Sequence, residues 1–205
     1  MKLNSARVLM TAAMLLTGAS AAEAHIVAAR LGDFYMGASH PLTDVPDVVL
    51  WTATGILAGA LGAPKGRWLI PVFPLGLLVG LPLGHVFGAA STQLADATMM
   101  LVIGMLLAAA VQVPTFLLCA IAFAVAVVRG AANGADLGPE TDRLLFAAGL
   151  ACAGYGVITL TMALTALFER ARSDGAASWR AIALRALGGW IAAIGLMMAS
   201  LVLAS

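Results

Sequence analysis

Six side chains have the chemistry of metal ligands and lie in or beside apolar segments of the chain. They are His25, His40, Asp44, Asp47, His85 and Asp136. Imidazole nitrogens combined with carboxylate oxygens suit nickel, cobalt or zinc, and a larger share of oxygen ligands shifts the preference toward harder ions. Each of the six is therefore a candidate ligand for a divalent metal ion.

The first polar stretch, residues 40–47, places one imidazole and two carboxylates directly before an apolar segment. Pro41 and Pro46 restrict its backbone, so we expect a fixed turn here. A purely structural role is available for Asp47, whose carboxylate can accept the free amides at the start of the next helix. Helix capping does not account for His40.

The second polar stretch, residues 129–136, has its polar side chains at helical spacing. Arg129, Asn133 and Asp136 are four and three residues apart, which places them on one face of a helix. An arginine at membrane depth needs a partner of opposite charge. We therefore expect this face to point inward and to pair with Asp44 or Asp47.

The elements that must position these residues are strongly apolar. The 205 residues are 62% hydrophobic and 10% charged, whereas soluble domains are about 45–50% apolar and about 25% charged. Six apolar segments predict an all-α, polytopic membrane helix bundle with about six transmembrane helices. They are residues 48–63, 68–87, 97–111, 114–128, 144–168 and 181–204. Two glycine series at a spacing of four, Gly55 and Gly59 and then Gly76, Gly80, Gly84 and Gly88, predict close helix packing.

Residues 1–24 are predicted to be a cleavable signal peptide. They combine a positively charged start, a short apolar core and the small-x-small pattern Ala22-Glu23-Ala24. Residues 25–205 then form a single transmembrane helical domain that begins with His25. A terminal amine beside an imidazole can chelate a divalent metal; the alternatives are an ordinary chain terminus and, for the whole segment, an uncleaved first helix.

The distribution of lysine and arginine predicts an inner-membrane protein whose mature N-terminus is on the outer side, which in a bacterium is the periplasm. Loops on the predicted inner side carry Lys65, Arg67, Arg170, Arg172 and Arg180, with Arg185 close by; the outer side has Arg30, Arg129 and Arg143. Acidic residues cluster on the outer side. They suit either a vestibule that attracts cations or ordinary solvated loops.

His85 lies inside the second apolar segment. A histidine within a membrane span is a candidate functional residue. The alternative is a structural histidine that is hydrogen-bonded to a neighbouring carbonyl.

Several functional classes find no support in the sequence. The chain has no nucleophile elbow, no phosphate-binding loop and no dinucleotide fingerprint, so we expect no enzymatic activity and no use of ATP. It also lacks the basic tract of a nucleic-acid-binding protein. The expected partners are the lipid bilayer, a divalent metal ion, and either a protein partner or further copies of the chain.

In their order along the chain, these features resemble the HupE/UreJ family of small bacterial membrane proteins, which are associated with nickel or cobalt uptake. The shared features are the signal peptide, a histidine at the mature start, His40-Pro41 before the first helix and a polar motif after the fourth. In the second motif, Arg129 and Asn133 stand where the family has histidines. They are motif-equivalent positions without ligand character, because arginine cannot ligate a metal. The resemblance therefore implies a divergent member.

Three functions follow from the residues and the resemblance. The first is a permease for uptake of a divalent transition metal such as nickel or cobalt, with the transported ion as cargo and no resident cofactor. The second is a transporter of a different solute, in which Arg129 is a counter-charge. The third is a non-transporting membrane subunit or assembly factor that binds a partner protein.

Overall fold

The computed structural model describes residues 21–87, 92–135, 137–170 and 179–204, and within these ranges the regular structure is entirely helical. The helices are α1 (Ala21–Thr43), α2 (Val45–Ala60), α3 (Ala63–Gly66), α4 (Leu69–Phe87), α5 (Gln93–Ala108), α6 (Thr115–Ala135), α7 (Arg143–Arg170) and α8 (Trp179–Ala204). The predicted all-α helix bundle is confirmed.

Four stretches in the described residues are long and apolar enough to cross a membrane. They are Ala63–Gly84, Thr115–Ala135, Arg143–Glu169 and Trp179–Ala204. The other two apolar helices, α2 and α5, have 16 residues each. At 1.5 Å per residue each rises about 24 Å, which is less than the hydrocarbon thickness of about 30 Å. The six predicted apolar segments therefore comprise four long helices and two short ones.

The start of the described chain differs from the prediction. Residues 40–43 are not a fixed turn, because α1 continues through Pro41 to Thr43. Because Pro41 has no N–H, the last turn of α1 lacks the hydrogen bond that residue 41 would donate to the Gly37 carbonyl. The break between α1 and α2 is a single residue, Asp44, which has extended φ and ψ angles of −89° and 120° and caps α2. The predicted signal peptide overlaps the described residues only at 21–24, so its cleavage stays a prediction.

The second polar stretch also differs, because α6 runs on to Ala135 rather than ending near residue 128. Arg129 and Asn133 are therefore on the helix of the fourth predicted apolar segment and not in a motif that follows it. The apolar pattern stops at Arg129, but the helix continues because its polar face is covered by other helices.

Glycines allow the helices to approach closely, as predicted. A Cβ atom on Gly80 would overlap the backbone of Val127 and Ala131, so α4 and α6 are in backbone contact there. On α2, Gly55 and Gly59 lie against the side chains of Thr161 and Thr165 in α7. Gly88 lies outside the described residues.

The helices form two groups. Helices α1, α2, α4, α6 and α7 pack on one another and are called the main body below, whereas α8 packs almost entirely on α5. In this α5–α8 pair, Gly104 and Gly188 are again too close for added Cβ atoms. The pair meets the main body chiefly along α2, where Met100 and Ile103 of α5 join the buried cluster that includes Leu50 and Trp51.

Candidate cation site

Arg129 is the centre of a buried charge cluster. Its side chain is 5% exposed, and its guanidinium reaches three different carboxylates. Nε donates to Asp47 Oδ1 at 2.7 Å, Nη1 donates to Asp96 Oδ2 at 2.8 Å, and Nη2 donates to Asp44 Oδ2. Charge-assisted bonds of this kind are the strongest hydrogen bonds in proteins. The predicted pairing of Arg129 with Asp44 and Asp47 is confirmed.

Two of the three carboxylates come from equivalent places on the two short helices. Asp47 is in the first turn of α2 and Asp96 is in the first turn of α5. The positive end of a helix dipole stabilises a carboxylate at this position. Both residues are buried, at 0% and 2% exposure, so the first turns of these helices present their charges to the interior of the bundle.

Asp44, and not Asp47, caps α2. The carboxylate of Asp44 accepts from the Asp47 amide at 3.3 Å. The proposed capping role of Asp47 is therefore wrong, because its two oxygens are used by Arg129 and Asn133 instead. Asp44 remains partly open, with its side chain 36% exposed, and so connects the buried cluster to the surface.

Asn133 links His40 to the cluster. Its Nδ2 donates to Asp47 Oδ2 and to the Arg129 carbonyl, both at 2.8 Å, and its Oδ1 lies 3.1 Å from His40 Nδ1. Because the amide nitrogen already faces two acceptors, Oδ1 must accept from a protonated Nδ1. The lone pair of a neutral His40 is then on Nε2, the arrangement in which a histidine can ligate a metal.

The cluster carries more negative than positive charge. Three carboxylates face one guanidinium, so the cluster has an excess of two negative charges when all three carboxylates are ionised. Buried charges without partners are costly, so this excess calls for protons or further cations. Asp96 Oδ1 is buried and has no hydrogen-bond partner among the described residues.

A cavity of about 200 Å³ opens beside these groups. Its lining residues come from the main body and from the start of the α5–α8 pair: His40, Asp44, Pro46, Thr92, Gln93, Asp96, Arg129, Ala132 and Asn133. A water molecule takes about 30 Å³ in the liquid, so the cavity has room for a cation with part of its hydration shell.

The structure thus brings together three of the six predicted metal ligands, His40, Asp44 and Asp47. Within the described residues, no three histidine, cysteine, aspartate or glutamate side chains form a ready metal cage, because the carboxylates are arranged around Arg129. The side chains of His25 and His85, and all of Asp136, lie outside the described part of the chain. Their participation stays a prediction.

Asp96 is the site residue that the sequence reasoning missed. It was one of several acids on the predicted outer side, and nothing in its neighbours marks it as special. The available signal was its position: like Asp47, it opens a short apolar segment. Asp142 is an ordinary exposed acid by contrast, since its Oδ1 caps α7 by accepting from the Leu144 and Leu145 amides.

Comparison with known proteins adds one finding. A family model described as "HupE / UreJ protein" matches residues 12–198, a range that includes every member of the charge cluster. Neither the curated proteins nor the solved structures contain a match.

Proposed function

The chain belongs to the HupE/UreJ family, and on that premise we propose that it is a membrane permease for uptake of a divalent transition-metal ion such as nickel or cobalt. The observation that carries the proposal is the convergence of three carboxylates on the single guanidinium of Arg129, beside a cavity to which His40 contributes. The proposed role is transport without catalysis.

The donor set agrees with this cargo. His40 offers one nitrogen, and Asp44 and Asp96 offer oxygens at the wall of the cavity. Such mixed sets accept nickel, cobalt and zinc. The excess charge raises the local concentration of cations before they bind.

The proposed location is the bacterial inner membrane, with the charge cluster facing the periplasm. We call this end of the bundle the carboxylate end, and the opposite end, with Lys65, Arg180 and Arg185, the basic end. Support comes from the positive-inside rule, since these three cations lie where α2, α5 and α7 finish.

Cysteine labelling in intact cells tests this orientation. In a chain with Cys119 and Cys152 replaced by serine, Glu140→Cys should react with an impermeant maleimide and Lys65→Cys only after permeabilisation. The reverse pattern would place the carboxylate end in the cytoplasm and would contradict the proposed direction of uptake.

Transport is tested in liposomes that contain a metal-sensitive dye. We expect influx of Ni²⁺ or Co²⁺ above the level of protein-free liposomes, and a loss of at least tenfold in Asp96→Asn. Glu140→Gln is the matched control, because it removes an exposed carboxylate outside the cluster and should leave influx unchanged. Size-exclusion chromatography verifies that each variant is folded.

Two outcomes would contradict the proposal. One is wild-type influx no faster than in protein-free liposomes for both metals. The other is equal influx for wild type and a folded Asp96→Asn variant, which would separate transport from the cluster.

A non-transporting subunit that binds a partner protein is the second candidate. The observation in its favour is an apolar groove of about 490 Å³ between α7 and α8, lined by Leu164, Phe168 and Leu187 among others. On this candidate, apolar side chains of a partner's helix would occupy the groove. Co-purification of a stoichiometric partner, lost in Leu187→Trp and indifferent to metal, would favour this candidate.

A further inference from the structure

The guanidinium of Arg129 lies at the point where three carboxylates converge. Asp44, Asp47 and Asp96 come from the cap of α2, the first turn of α2 and the first turn of α5, and all three converge on it. No other positive side chain among the described residues makes an ion pair with them. The three carboxylates are therefore organised around a single positive charge.

We infer that Asp44, Asp47 and Asp96 form a divalent-cation site that Arg129 occupies as a tethered cation, and that cargo must displace Arg129 in order to bind. This inference deepens the proposed function, since it concerns the same site and its regulation. It adds Asp96 as a ligand and gives Arg129 the role of a competitor.

The charge balance supports displacement. A guanidinium supplies one positive charge to three carboxylates, whereas a divalent cation supplies two, so exchange lowers the uncompensated negative charge on three ionised carboxylates from two to one. The outgoing guanidinium needs a polar place to go, and the cavity of about 200 Å³ that Arg129 already lines provides it.

The orphan oxygen of Asp96 is an independent sign of a missing ligand. Asp96 is 2% exposed, its Oδ1 has no hydrogen-bond partner among the described residues, and the residue lines the cavity. Leaving a buried charged oxygen unpaired is expensive. A cation that replaces the guanidinium gains this free oxygen as a further ligand.

Arg129 also holds the two helix groups together. Asp96 belongs to the α5–α8 pair, while Arg129, Asp44 and Asp47 belong to the main body. Within the described residues, the Arg129–Asp96 ion pair is the only one between the groups. Displacement of Arg129 would replace this link by one through the cargo, so cation binding and the relative position of the two groups are coupled.

The test compares Co²⁺ binding to purified wild type, Arg129→Ala and Arg129→Lys by calorimetric titration in detergent. We expect Arg129→Ala to bind Co²⁺ at least tenfold more tightly than wild type. Arg129→Lys keeps a tethered charge and should stay near the wild-type affinity. Adding Asp96→Asn to Arg129→Ala should remove the gain, whereas adding Glu140→Gln should not.

Competition between Co²⁺ and free guanidinium sharpens the test. Millimolar guanidinium should weaken Co²⁺ binding to Arg129→Ala, by refilling the vacated position, and should leave wild type unaffected. The inference is overturned if Arg129→Ala binds no more tightly than wild type, or if its gain survives Asp96→Asn.

Folding is measured at the same time by helical circular dichroism with and without Co²⁺. Arg129→Ala that is folded only with Co²⁺ supports the inference, because the metal then replaces the missing charge. Arg129→Ala that stays unfolded at every Co²⁺ concentration overturns it. The influx of metal into liposomes with wild-type protein is a separate result. If there is no influx, the proposed transport function fails. A tenfold gain in the Co²⁺ affinity of Arg129→Ala would still establish a cation site that Arg129 occupies.

Discussion

The two ends of the bundle use positive charge in different ways. At the carboxylate end, Arg129 binds three side chains from two helix groups. At the basic end, Lys65, Arg180 and Arg185 each donate to a backbone carbonyl, of Val113, Phe168 and Ala108 respectively. The carboxylate end therefore has a network of ion pairs between helices, whereas the basic end has single hydrogen bonds from side chains to backbone carbonyls.

The caps of the basic end follow from elementary helix physics. Ala108 is the last residue of α5, and Phe168 is in the last turn of α7. Carbonyls in these positions lack partners within their own helix and lie at the negative end of its dipole. Any nearby cation satisfies them, so the identity of the residue matters less here than at the carboxylate end.

The largest expected contrast is between Arg129→Ala and Arg185→Ala. Removing Arg129 without added metal leaves buried carboxylates unpaired and should lower the free energy of unfolding by about 3–5 kcal/mol. Removing Arg185 loses one bond at the surface and should cost about 1 kcal/mol. Unfolding followed by circular dichroism in mixed detergent measures both, and equal losses would erase the distinction between the ends.

A smaller contrast concerns two glycine contacts between helices, that of Gly80 in α4 with α6 and that of Gly188 in α8 with α5. Gly80→Ala forces α6 away from α4, and Gly188→Ala forces α8 away from α5; overpacking of this kind costs about 1–3 kcal/mol. Both variants should be destabilised, but only Gly80→Ala moves the helix of Arg129. We expect metal influx per folded molecule to fall in Gly80→Ala and to be retained in Gly188→Ala.

Gly156→Ala is the control for both glycine variants, since nothing lies within 4 Å of an added Cβ there. It should leave stability unchanged or slightly raised. A loss of influx in Gly188→Ala as large as that in Gly80→Ala would show that the site depends on the whole bundle rather than on the α4–α6 contact.

The smallest contrast is between two amides. Asn133→Ala leaves Asp47 Oδ2 without its amide donor, which should cost about 1–3 kcal/mol. Gln112 is exposed and meets Lys65 only at 3.4 Å, so Gln112→Ala should change the free energy of unfolding by a few tenths of a kcal/mol, as surface changes usually do. A larger effect at Gln112 would mean that the basic end is also a cooperative network.

The long apolar helices could be predicted because their composition alone requires them to be buried or in lipid. The prediction failed where polar residues continue a helix. Helix α1 contains Arg30, Asp33 and Pro41, so it has no apolar run to mark it, and α6 extends past Val128 because Asp47 and Asp96 cover its polar end. Only tertiary contacts reveal such segments.

The site could be predicted in part for a related reason. An arginine in the membrane requires an acidic partner. The predicted topology placed Asp44 and Asp47 on the same side of the membrane as Arg129, so they could be named as its partners. Asp96 became recognisable only when α5 was seen to pack beside α2, which places two equivalent first turns next to each other. Helix packing of this kind leaves no local mark in the sequence.

The order of the charged residues along the chain has a consequence for biosynthesis. Asp44, Asp47 and Asp96 are all made before Arg129, so the acids reach the membrane first and the arginine arrives last. An arginine at the centre of an isolated helix raises the cost of insertion by about 2.5–3.5 kcal/mol, and carboxylates that are already in place can offset this cost as α6 leaves the translocon. We therefore expect the three aspartates that shape the finished site also to lower the insertion cost of the helix that completes it.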